Sequence, residues 1–130
     1  MKDERKRVEV CFTPGEYTYF KGEFEIVVVI DVLRATSAIC TAFQYGVAAI
    51  IPVPTLEEAL AYKQQGYLAG AERKGKIVEG FDFGNSPFSY MKEEFKGKEI
   101  VLTTTNGTKS LDVAKDADMV IVGSFLNLEA

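Results

Sequence analysis

The chain has 130 residues, 47% hydrophobic and 26% charged, with a formal net charge of −4 and no histidine. That length is one domain with room for a real core, and the composition argues against a disordered or fibrous chain. The acidic balance speaks against nucleic acid as a partner, and no apolar run approaches the roughly 18 residues of a membrane span.

The first residues, Lys2-Asp3-Glu4-Arg5-Lys6-Arg7, mix both signs of charge and read as a solvated tail. A charged start of this kind is no signal peptide, so a cytoplasmic protein is expected. Val8 to Phe12 alternates as a strand and Thr13-Pro14-Gly15 breaks it, whereas Ile26 to Ile30 is a continuous β-branched run of the kind that is central in a sheet and covered on both faces. Thr36 or Ser37 caps a helix through Gln44, closed by Gly46. Ala48 to Val53 is the next strand and completes a βαβ unit.

Thr55 with Glu58 forms a capping box for a second helix to about residue 65. Tyr67 to Ala71 and Ile100 to Thr104 read as strands, Gly107 to Lys115 as a helix and Met119 to Val122 as a further strand. Between them Glu72 to Tyr90 is a long polar stretch with one helix start, Ser86-Pro87; a long loop in a small domain is often functional. The expected fold is therefore a three-layer α/β domain over residues 1–130, its sheet mostly parallel or mixed, with helices on both faces. Gly123 to Ala130 begins a helix with no residues left to continue it, so the fold is expected to be incomplete at its C-terminus. Cys11 and Cys40 have no C-x-x-C spacing and no imidazole to activate them, and they read as small core residues rather than zinc ligands or nucleophiles.

In open α/β sheets ligands bind beyond the carboxyl ends of strands, so the residues that follow each apolar run carry the candidates. Asp31-Val32-Leu33-Arg34-Ala35-Thr36-Ser37 sets a carboxylate, a guanidinium and two hydroxyls ahead of a helix N-terminus. Exposed amides and the helix dipole favour a phosphate there, Arg34 can fork onto its oxygens, and Asp31 can hold a hard cation; the plain alternative is a helix cap beside a salt bridge. Thr103-Thr104-Thr105-Asn106-Gly107-Thr108 repeats the arrangement, with Gly107 expected at positive φ, and Gly123-Ser124 repeats it more weakly. Glu72, Arg73 and the segment Phe81-Asp82-Phe83-Gly84-Asn85-Ser86-Pro87 add two candidate metal ligands, Glu72 and Asp82, with an arginine and an amide. Such an oxygen-rich set suits Mg²⁺ or Mn²⁺ and phosphoryl transfer. No G-x-G-x-x-G or Walker A string is present, and Asp31 is not followed by the second aspartate of haloacid-dehalogenase-type phosphatases.

Four motifs in order, Val29 to Ser37, Gly80 to Pro87, Leu102 to Thr108 and Gly123 to Asn127, resemble the 2-phosphosulfolactate phosphatase family. The resemblance runs from about Val8 to Ala130 and covers only the first part of the family's length. It implies a Mg²⁺-dependent acid phosphatase that converts 2-phosphosulfolactate to sulfolactate and phosphate, a step toward coenzyme M or in sulfolactate metabolism. Asp31 then stands for metal binding or nucleophilic attack beside Arg34, and Arg34, Thr36 and Ser37 stand for phosphate binding. Asn85, Ser86, Thr104, Thr105, Asn106, Gly107, Thr108, Ser124 and Arg73 join as substrate contacts. An aspartyl-phosphate on Asp31 and direct attack by metal-bound water both remain open. The substrate is a small anion, neither nucleic acid nor membrane is a partner, and apolar surface left for the absent portion would favour association, including a homo-oligomer. The competing readings are a non-catalytic phosphate-binding or assembly module, and a phosphatase for another small anionic ester.

Overall fold

The computed structural model describes residues 6–130. Most of the expected charged tail, Lys2 to Arg5, lies outside the described residues; within them Arg7 pairs with Glu9 at 3.0 Å and Glu23 at 3.2 Å. The chain is an α/β fold: β1 (Ile26–Ile30), α1 (Ala35–Gln44), β2 (Ala49–Pro52), α2 (Leu56–Gln64), β3 (Leu68–Arg73), β4 (Lys76–Ile77), β5 (Glu99–Thr103), α3 (Gly107–Ala114) and β6 (Met119–Gly123). Short 3-10 turns occupy Glu16–Tyr19, Pro87–Tyr90, Glu93–Phe95 and Phe125–Asn127. Among the described residues no helix is long and apolar enough to cross a membrane.

The strands form two sheets, β1-β6 and β2-β5-β3-β4, with every pairing parallel except the β3–β4 hairpin. Side-chain alternation along β5 divides the core of the larger sheet. Ile100 and Leu102 point to one face, where they meet Ala38, Ile39 and Ala42 of α1 and the aromatic trio Phe83, Tyr90 and Phe95. Val101 points to the other and meets Ala69, Val53 and Ala59 of α2. Helices thus cover both faces of the four-stranded sheet. α1 and α3 connect it to the smaller one: Val122 of β6 packs on the α1 core, while Val27, Val29 and Val120 pack with Leu111 and Ala114 of α3.

Local chemistry accounts for the boundaries. Thr55 accepts the Glu58 amide at 3.2 Å and donates its hydroxyl to the Glu58 carboxylate at 3.1 Å, which anchors the start of α2. Gly46 ends α1 at φ 91°. The Phe83 ring lies across Gly70 in the middle of β3, where a β-carbon would overlap it, and the Gly70–Phe83 bridge fixes the segment beyond it alongside the sheet.

Five expectations are corrected. Val8 to Phe12 is not a strand, and Val8, Val10 and Phe12 are exposed, because no neighbouring strand pairs with them among the described residues. Cys11 is accordingly exposed rather than in the core, and Cys40 is half-buried. β1 is not central: among the described residues it pairs with β6 alone, and one of its faces is exposed, a distinction a continuous apolar run cannot encode. Arg34, not Thr36 or Ser37, occupies the α1 N-cap position. The polar stretch from Glu72 is not all loop, since β3 continues to Arg73 and turns through Lys74 (φ 53°) and Gly75 (φ 77°) into β4. Two positive φ values make this a type I′ turn, for which lysine is an unusual first residue.

Candidate active site

β3 and β5 run parallel in the larger sheet and β1 runs parallel to β6 in the smaller one, and the carboxyl ends of β1, β3 and β5 deliver Asp31, Glu72 and Thr105 to one open cleft of about 280 Å³, lined also by Leu33, Arg34, Lys74, Gly75, Asn85 and Asn106. A smaller concavity of about 120 Å³, between residues 11–17 and β1, has no charged side chain in its lining.

Asp31 is held by its own loop. Its backbone amide donates to Thr36 Oγ1 at 3.0 Å, its carbonyl accepts the Thr36 amide at 3.0 Å, and Ser37 Oγ donates to the Val32 carbonyl at 2.7 Å. The two hydroxyls therefore shape the turn that presents Asp31, and Thr36 is fully buried. The Leu33–Arg34 peptide bond is cis. Burial raises the Asp31 carboxyl above its ordinary value; the Ala35 amide opposes that rise and the Glu72 charge adds to it.

Glu72 is 8% exposed. Its Oε1 accepts the Gly75 amide at 2.6 Å and the Thr105 hydroxyl at 3.1 Å. The β3–β4 turn and the β5–α3 turn are thereby tied to one carboxylate. Arg34 reaches the Gly75 carbonyl at 3.5 Å from the opposite wall. Arg73 does not face the cleft as an anion ligand: it donates to the Glu72 carbonyl at 2.7 Å and to Thr103 Oγ1 at 3.0 Å, bracing β3 on β5.

Around the start of α3, Thr104 and Thr108 are buried and lock together, each hydroxyl accepting the other's backbone amide at 3.1 Å. They shape the turn, while Thr105 and Asn106 line the cleft. Gly107 has no positive φ. Its smallness serves instead to bring α3 against α1, since a β-carbon there would overlap Ala35 and lie 3.4 Å from Asp31 Oδ2. Two helix N-termini therefore converge beside Asp31, which favours an anion.

Asn85 is 3% exposed, lines the cleft, and its Oδ1 is buried with no hydrogen-bond partner among the described residues. Buried polar atoms in folded proteins are nearly always satisfied, so this oxygen is suited to accept from a ligand donor or to coordinate a cation.

The remaining candidates stand apart. Asp82 pairs with Lys63 at 2.7 Å and accepts the Ala69 amide at 2.9 Å. Although burial pushes its carboxyl up, the amide and Lys63 together hold it below the usual value. It clamps the segment carrying Asn85 onto β3 and is not gathered with Asp31 and Glu72; among the described residues no three acidic or cysteine side chains cluster as metal ligands. Ser86 precedes the Pro87 turn without a capping bond, and neither it nor Ser124 lines the cleft. Ser124 accepts the Leu126 amide at 3.1 Å and donates its own amide to Asn127 Oδ1 at 2.8 Å. Leu33, Lys74 and Gly75 were absent from the sequence-based candidates. Only the unusual Lys-Gly turn could have signalled Lys74.

The sequence model of the family described as 2-phosphosulpholactate phosphatase matches residues 11–130. The chain belongs to the 2-phosphosulfolactate phosphatase family. A Thermotoga petrophila protein named "Probable 2-phosphosulfolactate phosphatase" is 51% identical over 108 residues, 83% of this chain and 47% of that protein. Relatives of the same name from Clostridium acetobutylicum and Carboxydothermus hydrogenoformans are 42% and 44% identical, each over 95% of this chain, and 54% and 51% of their own lengths are matched. The chain thus spans about half the length of these family members. Asp31, Arg34, Glu72, Asn85, Thr105 and Asn106, which converge on the cleft, all lie within the residues that the family model matches.

Proposed function

We propose that the chain forms the phosphate- and metal-binding part of a Mg²⁺-dependent phosphatase, with 2-phosphosulfolactate as substrate, acting in the cytoplasm in coenzyme M or sulfolactate metabolism. The observation that carries the reading is the buried, unpartnered Asn85 Oδ1 in a cleft with the carboxylates of Asp31 and Glu72. Two carboxylates and an amide oxygen form a hard, oxygen-only donor set, which suits Mg²⁺. Glu72 Oε1 is already occupied by two donors, leaving Oε2 for the cation. When bound, the cation supplies charge neutralisation at the transferring phosphoryl group.

The chain's own residues account for the rest of the binding. Arg34 forks onto phosphate oxygens, and the positive ends of the α1 and α3 helix dipoles favour the same anion. Lys74, exposed at the cleft mouth, is placed for the additional negative charge of a phosphosulfolactate. Asp31, between both helix N-termini, is either the attacking carboxylate or a metal ligand.

The test is calorimetric titration of the chain with Mg²⁺ and inorganic phosphate, beside an assay of phosphate release from 2-phosphosulfolactate and from a panel of other small phosphate esters. Mg²⁺-dependent release lost in Asp31→Asn and Asn85→Leu is the expected outcome. Preference for another ester would move the substrate assignment. Phosphate binding without turnover would assign the chain a binding role only, and binding indifferent to both substitutions would remove the site from this cleft.

A further inference from the structure

Among the described residues the two-stranded sheet is covered on one side only. In the parallel register Ile26 lies opposite Met119, Val28 opposite Ile121 and Ile30 opposite Gly123, so these six residues share one face. Its five side chains are between 41% and 66% exposed, whereas Val27, Val29, Val120 and Val122 on the reverse side pack against α3 and α1. An isolated pair of strands is marginal in water, and a contiguous patch of apolar side chains on a regular surface marks an interface. The remaining edge of β1 also has no paired strand among the described residues, which leaves backbone groups able to accept one. Leu33, Phe125, Leu126 and Leu128, which follow the carboxyl ends of β1 and β6 in the chain, are also strongly exposed, and Leu33 lines the cleft.

We infer that this face is the docking surface for the portion of the family's architecture that the chain does not match. The relatives are about twice as long as the region aligned to this chain, and that additional polypeptide has to pack on something. The β1–β6 face is where a regular apolar layer is ready to receive it, and it begins one residue before Asp31. A segment seated there covers the apolar layer of β1 and β6. This inference goes beyond the phosphatase reading and uses no activity as its readout, so the two fail independently.

Cysteine accessibility tests it. In a Cys11→Ser, Cys40→Ala background, Val28→Cys and Ile121→Cys are labelled with a maleimide in the 130-residue chain and in the same chain fused to the unmatched segment of the Thermotoga petrophila relative. Ile77→Cys, on an exposed strand of the other sheet, is the control. The expected result is that fusion slows labelling at positions 28 and 121 by roughly tenfold or more, as burial under a packed layer requires, and leaves position 77 unchanged. Equal labelling in a cooperatively folded fusion overturns the inference. Protection that depends on the concentration of the unfused chain, and is unaffected by fusion, assigns the face to a second copy and overturns it as well. Should the fusion not fold, the two pieces are co-expressed as separate chains. Co-purification that is lost in Val28→Lys and Ile121→Lys supports the inference, and no co-purification of two soluble, folded pieces overturns it.

Discussion

Asp31 and Asp82 are both loop aspartates, and their surroundings give them opposite consequences for stability. Burial raises the Asp31 carboxyl, so without divalent cations the folded chain binds that proton more tightly than the unfolded chain does. Its contribution to stability is therefore fullest below the unfolded carboxylate value of about 4 and falls as pH rises through the raised folded value. Asp31→Asn is expected to raise Tm at about pH 7, to change it little near pH 3, and to abolish the further rise expected from the proposed Mg²⁺ binding; thermal melts with and without the cation check this. Asp82 is held low by Lys63 and the Ala69 amide, so its contribution is present above the unfolded value and lost as pH falls. Asp82→Asn is expected to lower Tm at neutral pH, with the deficit fading in acid and Mg²⁺ binding intact. Lys74 adopts a left-handed conformation that asparagine tolerates better. Lys74→Asn should stabilise the chain by roughly 0.5–1 kcal/mol in denaturant titrations while weakening its affinity for multiply charged phosphate esters. Asp31 and Arg34 could be found from sequence because a carboxylate and a guanidinium sit between an apolar run and a helix. Asp82 could not be separated from them, because an acid's partner 19 residues away leaves no local mark.

At the scale of elements, the cleft depends on how α1, α3 and the segment after Gly80 meet. Gly107→Ala would set a β-carbon against Ala35 and force the two helix N-termini apart. It is expected to cost about 1–3 kcal/mol and to weaken phosphate binding as well, which calorimetry and chemical denaturation measure separately. Thr108→Val leaves the Thr104 amide buried without an acceptor, for a loss of about 1–3 kcal/mol in denaturation. The capping threonine of α2, the glycine ending α1 and the helix after the threonine run were legible because each is written in adjacent residues. The Glu72–Ile77 hairpin was not, since its turn uses lysine where asparagine is the familiar signal, and its strands are too short for periodicity to register.

For the molecule as a whole, Leu102 stands where α1, β5 and the aromatic trio meet. Leu102→Ala is expected to cost about 2–5 kcal/mol in a denaturant titration, a large share of the stability of a domain this size. The amino-acid sequence by itself determined the α/β class, the order of most elements, the family and the position of Asp31 and Arg34 at the end of a strand, because these rest on local periodicity, capping and short motifs. Tertiary structure decided which candidates converge. It brought Glu72, Asn85, Thr105 and Asn106 to Asp31, gave Thr36, Ser37, Thr104 and Thr108 the task of shaping turns, engaged Asp82 and Arg73 elsewhere, and split the expected single sheet in two. The physical reason is that strand pairing, burial and the satisfaction of polar atoms are set by partners distant in the chain: Ile26 to Ile30 reads the same whether one face or both are covered, and only the packed fold shows Asn85 Oδ1 without a donor.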